Sequence, residues 1–254
     1  MLMMYYLLLY LYKHMYKHKI KFKSTNSKQN HRNRCIQLLS YIRTKDITNI
    51  LISQYNETIL VEFRILPHIE FIVKNVINLL DITWSHTIVC GNNNYSFIRS
   101  IFKNLPNIRI VKLDYTNLTK DEYNKLLYTI DFWNLFYGEK LLIYQEDSIM
   151  FHGNINRFLK YDYVGAPWPK QFIDIYPNHF PSKGGNGGFS LRSKSKIIEC
   201  LKKNGESSIP EDVYFSKYLD NICPRELSKE FSQEFVQGNN PIGGHCYWKA
   251  YVQD

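Results

Sequence analysis

LLIYQEDS, residues 141–148, passes from four apolar side chains through a single Gln to two adjacent carboxylates. Leu141 to Tyr144 is too short for a helix and shows no polar alternation, so it reads as a strand buried on both faces. The same kind of run recurs upstream in TILVEFR (58–64), HTIVCG (86–91) and IRIVKLD (108–114). Helical patterns separate them. Pro67 opens an amphipathic stretch with Ile69, Ile72, Val73, Val76, Ile77 and Leu80 on one face, and a shorter helix covers about 95–104. Thr119, with Glu122 three residues on, has the form of a capping box; it predicts a helix from Lys120 to about Tyr137, stopped by Gly138. Strands alternating with helices make an α/β fold, a mostly parallel sheet flanked by helices. Ligands of such sheets bind beyond the carboxyl ends of the strands, which is where the acid pair stands.

Working outward, each loop after a strand is a candidate for chemistry. Glu146 and Asp147 have the hard oxygen donors that hold Mg²⁺ or Mn²⁺ beside a phosphate, although two acids in a polar turn need no ligand. The Pro- and Gly-rich stretch 165–188 reads as one long irregular segment, of a length that in compact domains is usually functional. It ends in Gly184-Gly185-Asn186-Gly187-Gly188, where the backbone can pass close to a ligand or to another segment. A strand-like FSL and a helix through SKIIECL follow, so this is neither a Walker A loop nor a dinucleotide fingerprint. Pro210-Glu211-Asp212 opens another helix; its acids suit the helix dipole, and equally suit a general base at a cleft rim. Gly243-Gly244-His245-Cys246 places an imidazole near the C-terminus as a possible metal ligand. Glu62 and Arg64 end the first strand, where a nucleotide base would lie. Trp133, Trp168 and Trp248 are either core or an acceptor platform.

The chain has 254 residues and a formal net charge of +9, which invites a nucleic-acid reading. The charge is unevenly spread. Residues 1–34 hold Lys13, Lys17, Lys19, Lys21, Lys23, Lys28, Arg32 and Arg34 with no acidic residue, so they carry +8 and leave +1 for 35–254. We therefore expect a basic, disordered tail over 1–34, a single α/β domain over 35–254, and no nucleic acid as partner. The apolar start MLMMYYLLLYLY would span only about 18 Å as a helix, short of a ~30 Å hydrocarbon core. At most, residues 1–23 give a weak membrane association. The five cysteines are scattered and form no C-x-x-C pair, which suits a reducing, cytoplasmic setting.

Taken in order, these elements resemble the metal-dependent glycosyltransferases of the A-type fold. YQEDS is similar to their D-x-D element. GGNGGFSLRSK with PEDVYFS resembles the glycine and E-D-V elements of the β-1,3-galactosyltransferase and fringe enzymes. YDYVGAPW, GNGGFSLRS and PEDVYF together look like a glycosyltransferase-like family of bacteria and large DNA viruses, over roughly residues 58–248. The resemblance implies a nucleotide-sugar donor, a glycan, protein or small-molecule acceptor, and Mn²⁺ or Mg²⁺ as cofactor. By that resemblance Asp147 and His245 bind the metal, and Asp212 is the catalytic base with Glu211 beside it. Gln145 stands where the family has its first Asp, with Glu146 next to it. Asn186, Gly187 and Gly188 line the sugar and acceptor side, with Trp168 near the acceptor. The alternative it leaves open is a non-catalytic relative that binds sugar or nucleotide.

Overall fold

The computed structural model describes residues 27–42, 52–177 and 180–250; the apolar start and most of the basic tail lie outside the described residues. Nine strands are present among them: β1 (Asn56–Val61), β2 (Trp84–Cys90), β3 (Ile108–Lys112), β4 (Lys140–Tyr144), β5 (Ser148–Met150), β6 (Tyr163–Ala166), β7 (Asn186–Ser193), β8 (Ser232–Gln233) and β9 (Gly243–His245). Six of them form the main sheet in the order β3-β2-β1-β4-β7-β6. The first four are mutually parallel, and β7 runs antiparallel between β4 and β6. A small second sheet, β5-β9-β8, closes over one end. The α/β class with a mostly parallel sheet, expected from the alternation of patterns, is what the chain adopts.

The strands are buried on both faces, and their side chains alternate between two cores. Leu60, Leu142 and Tyr144 point into one core, with Ile69, Ile72, Val73 and Val76 of helix α2 (Ile69–Leu79). Helix α1 (Ser27–Leu38) adds Cys35 to that layer, and helix α3 (Tyr95–Ile101) adds Ile98. Ile59, Val61, Leu141 and Ile143 point into the other core. There they meet helices α4 (Lys120–Leu127), α5 (Ile130–Asn134), α7 (Lys194–Asn204) and α8 (Glu211–Tyr218). The helix face read from the sequence, Ile69 to Leu80, is buried at every expected position. No helix among the described residues is long and apolar enough to cross a membrane.

Four local expectations are corrected. The capping box forms on Thr119 and Glu122, but the helix expected to reach Tyr137 ends at Leu127. Thr129 takes an extended backbone and accepts the Phe132 N–H on its hydroxyl (3.3 Å), so it starts a second helix, α5. The stretch 165–188 is not irregular throughout. It contains the end of β6 and helix α6 (Lys170–Ile175), whose N-cap is Pro169. β1 stops at Val61 because the Glu62 carboxylate accepts the N–H groups of Phe63 and Arg64 (3.0 and 2.8 Å) and turns the chain out of the sheet. Residues 27–34, expected within a disordered tail, form the first part of α1, with Ser27, His31 and Cys35 buried.

Candidate active site

The topology dictates where a ligand fits. From β1 the chain winds outward through β2 to β3, then returns to place β4 on the other side of β1. The carboxyl ends of β1 and β4 therefore flank a switch-point crevice. Glu62 and Arg64 follow one strand and Gln145, Glu146 and Asp147 follow the other. Because β7 is antiparallel, it begins at the end where β4 finishes, with Phe189 opposite Tyr144. Asn186, Gly187 and Gly188 are thus brought beside the acid turn, and Ser148 ties the two by donating its hydroxyl to the Gly188 carbonyl (2.9 Å).

The two acids of the turn have different surroundings. Glu146 is 3% exposed and enclosed by cations. Arg32 donates Nε and Nη2 to its two oxygens (3.1 and 2.7 Å), His68 donates Nε2 to Oε2 (2.9 Å), and Lys28 and Arg64 approach Oε1 (2.6 and 3.4 Å). Burial alone would raise its pKa, but the hydrogen bonds from His68, Arg32 and Lys28 hold it well below the carboxylate range. Glu146 is therefore an ion-pair hub, with both of its oxygens taken by side chains of the folded chain. Arg64 is bound back onto Glu62 through Nε and Nη2 (2.8 and 2.7 Å), which links the ends of β1 and β4.

Asp147 is the member that faces a possible metal. Its Oδ1 lies 3.2 Å from His245 Nε2, and its Oδ2 accepts from Cys246 Sγ (3.3 Å). Ligand atoms of Asp147, His245 and Cys246 all fall within 4.8 Å of one another. The arrangement follows from β9 pairing antiparallel with β5, which sets His245 opposite Ser148. On its far side His245 Nδ1 meets Glu234 Oε2 (3.2 Å). A carboxylate behind a histidine fixes ring orientation and leaves the other nitrogen for a metal, so the residues present fit a divalent cation. Burial disfavours the charged ring, but hydrogen bonds to Asp147, Cys246 and Glu234 outweigh it and hold the imidazolium well above its ordinary range. Burial would raise the Asp147 pKa, but the hydrogen bond and charge of His245, followed by those of Lys28, hold it below the carboxylate range.

The third group stands at the opening of α8. Glu211 is clamped by the fully buried Arg192, whose Nη1 and Nη2 donate to it at 2.5 and 3.0 Å. The guanidinium also lies 5.3 Å from the Tyr163 ring centre and 5.7 Å from that of Phe215. Both Glu211 oxygens are occupied, so this carboxylate positions the helix rather than standing free to take a proton. Its neighbour Asp212 has no cationic partner within bonding distance among the described residues. It accepts only the N–H groups of Gly187 (3.2 Å) and Val213 (2.8 Å). Burial, followed by the charge of Glu211, raises its pKa to about 6. The two glycines explain how the groups come together. A Cβ on Gly187 would lie 2.6 Å from Glu211 Oε1, and one on Gly188 would lie 2.4 Å from the His245 ring. Successive strand positions point to opposite faces, so Asp212 and His245 flank the start of β7 from its two sides.

Of the remaining expected residues, Asn186 accepts the Gly188 N–H on Oδ1 (3.0 Å) and shapes the start of β7. Trp168 is 4% exposed and packs on Phe180 (ring centres 5.5 Å apart), so it offers no open platform; Trp133 is entirely buried in the second core. Sequence reasoning missed Lys28, Arg32, His68, Arg192, Glu234 and Tyr123. The Tyr123 phenol bonds to Gln145 and is pushed up to about 12, first by burial and then by nearby Glu211. Arg192 had one visible signal, a charge inside the apolar run FSLRS.

Solved structures that resemble this chain include three from different organisms. The mannosyltransferase PcManGT from Pyrobaculum calidifontis, in complex with GDP-Man and Mn²⁺, is 14% identical with a TM-score of 0.45, over 79% of this chain and 64% of that one. The apo-form glycosyltransferase GlyE of Streptococcus pneumoniae is 11% identical with a TM-score of 0.42, over 76% and 54%. TarS 1-349 of S. aureus is 12% identical with a TM-score of 0.41, over 67% and 56%. The chain thus spans less than two thirds of each. No curated protein matches it. Residues 107–245, more than half of the sequence, match the family described as "Protein of unknown function (DUF5672)", a span running from β3 through the acid turn, the glycine strand and Asp212 to His245, and the chain belongs to that family.

Proposed function

We propose that this protein is a glycosyltransferase that moves a sugar from a nucleotide-sugar donor to an acceptor hydroxyl with inversion, assisted by Mn²⁺ or Mg²⁺. One observation carries the reading. A carboxylate–imidazole pair, Asp147 with His245, and a carboxyl raised to about 6, Asp212, flank the start of β7 beside the switch-point crevice. A divalent metal held by Asp147 and His245 would supply Lewis-acid neutralisation of the departing diphosphate. The chain's own groups do the rest. Asp212 uses one lone pair on each oxygen for a backbone N–H, which leaves a further lone pair for the acceptor hydroxyl. As the acceptor oxygen bonds to the anomeric carbon, its proton passes to Asp212 and the bond to the diphosphate breaks. One in-line displacement inverts the centre. Arg192 and Glu211 hold the helix that presents Asp212, while Glu62 and Arg64 border the crevice where the nucleotide base would lie.

Binding is tested by thermal shift across a panel of nucleotide-sugars, with and without Mn²⁺. The expected result is a rise in Tm with at least one donor that requires Mn²⁺, because a ligand of the native state adds stability. A panel that shifts nothing in either condition contradicts the reading. The second reading, a non-catalytic sugar- or nucleotide-binding relative, is favoured by the complete pairing of Glu146 and the amide at Gln145, which leave Asp147 as the turn's one carboxylate beside His245. It is distinguished by donor binding without release of nucleoside diphosphate.

A further inference from the structure

Helix α1 lies outside the span of the family match, yet it reaches into the proposed metal site. Lys28 Nζ stands 2.8 Å from Asp147 Oδ2 and 2.6 Å from Glu146 Oε1, bridging the acid pair of the turn. Three further contacts seat the helix there: Arg32 on Glu146, His31 Nε2 on the Glu146 carbonyl (3.3 Å), and His31 Nδ1 on the Tyr247 hydroxyl (3.2 Å). The two partners of Lys28 depend on it unequally. Without it, Glu146 keeps Arg32, His68 and Arg64, whereas Asp147 keeps only His245 and the Cys246 thiol. The Lys28 side chain is also 41% exposed, so a flexible stem can carry the ammonium into water while the rest of the helix keeps its contacts.

We infer that Lys28 is a built-in competitor for the divalent cation, a single positive charge on the Asp147 oxygen that a metal would need. The inference rests on the metal reading of Asp147 and His245 and adds a regulatory contact to it. Lys28 and a dication repel one another at this distance and draw on the same Asp147 carboxylate, so occupancy by either lowers that of the other. The docked α1 then sets a threshold of metal concentration below which the acid turn is held by the chain itself.

The experiment is a calorimetric titration of the full chain with Mn²⁺ alone, comparing wild type with Lys28→Met, Lys28→Arg and Asp147→Asn. Removing a half-exposed ion pair is worth about fivefold in affinity, so Lys28→Met is expected to bind Mn²⁺ about fivefold more tightly than wild type. Lys28→Arg keeps the charge and is expected to bind no more tightly than wild type, while Asp147→Asn is expected to lose the site. Lys28→Met binding equal to or weaker than wild type would overturn the inference and leave the metal site standing. A failure of wild type and Lys28→Met alike to bind Mn²⁺ would overturn the metal reading, and the competition with it.

Discussion

Asp212 carries its ionisation state as a consequence of its neighbours. Its native pKa of about 6 exceeds the reference value of 3.8, so between those values the folded chain binds a proton that the unfolded chain releases. Stability contributed by this group therefore falls as pH rises across that window. Two outcomes follow for Asp212→Asn. Donor turnover is expected to drop at least about 100-fold, and wild-type turnover to rise through about pH 6 and then level off. Urea denaturation should also show the variant at least as stable as wild type at pH 7, with the advantage shrinking toward pH 4. At Gly188 the constraint is space, since a side chain there meets the His245 ring at 2.4 Å. Gly188→Ala is expected to cost about 1–3 kcal/mol in urea melts and to weaken Mn²⁺ binding, because the ring is held between Asp147 and Glu234 and has little freedom to move.

Helix α8 carries Asp212, the proposed base, and its first turn is fastened to β7 by the buried Arg192–Glu211 pair. Removing one partner leaves an uncompensated buried charge. Arg192→Met is therefore expected to cost about 3–5 kcal/mol by denaturant unfolding, with the double replacement Arg192→Met and Glu211→Met recovering much of it. At the break before α5, Thr129→Ala removes the cap that separates α4 from α5 and is expected to cost about 1 kcal/mol. These elements mark how far local reading reaches. The face of α2 and the capping box on Thr119 could be read because their information lies within one or two turns. The break at Thr129 could not, since a hydroxyl inside an apolar run favours neither a cap nor a helix interior until packing decides. Nor could the clamp on Glu211, because Arg192 finds its partner on a helix packed against its strand, 19 positions on.

For the whole molecule, the positive charge has acquired a place. The basic segment reads as a solvated tail, yet Lys28 pairs with an acid 119 positions away and Arg32 with one 114 away. Water was the expected partner; two buried carboxylates are the actual one. The α/β alternation and the place of Asp147 beyond a strand's carboxyl end were readable, because they follow from pattern, whereas Asp212 and His245 were joined to that end only by what the family resemblance implied. The division of labour within the acid pair was not readable, as it depends on which cations the folded chain brings to each oxygen. The central claim is tested most directly by release of nucleoside diphosphate from a panel of nucleotide-sugars with Mn²⁺, using wild type and Asp147→Asn side by side. The expected result is release from at least one donor by wild type and its loss in the variant. No release from any donor, or release undiminished in Asp147→Asn, would contradict the account.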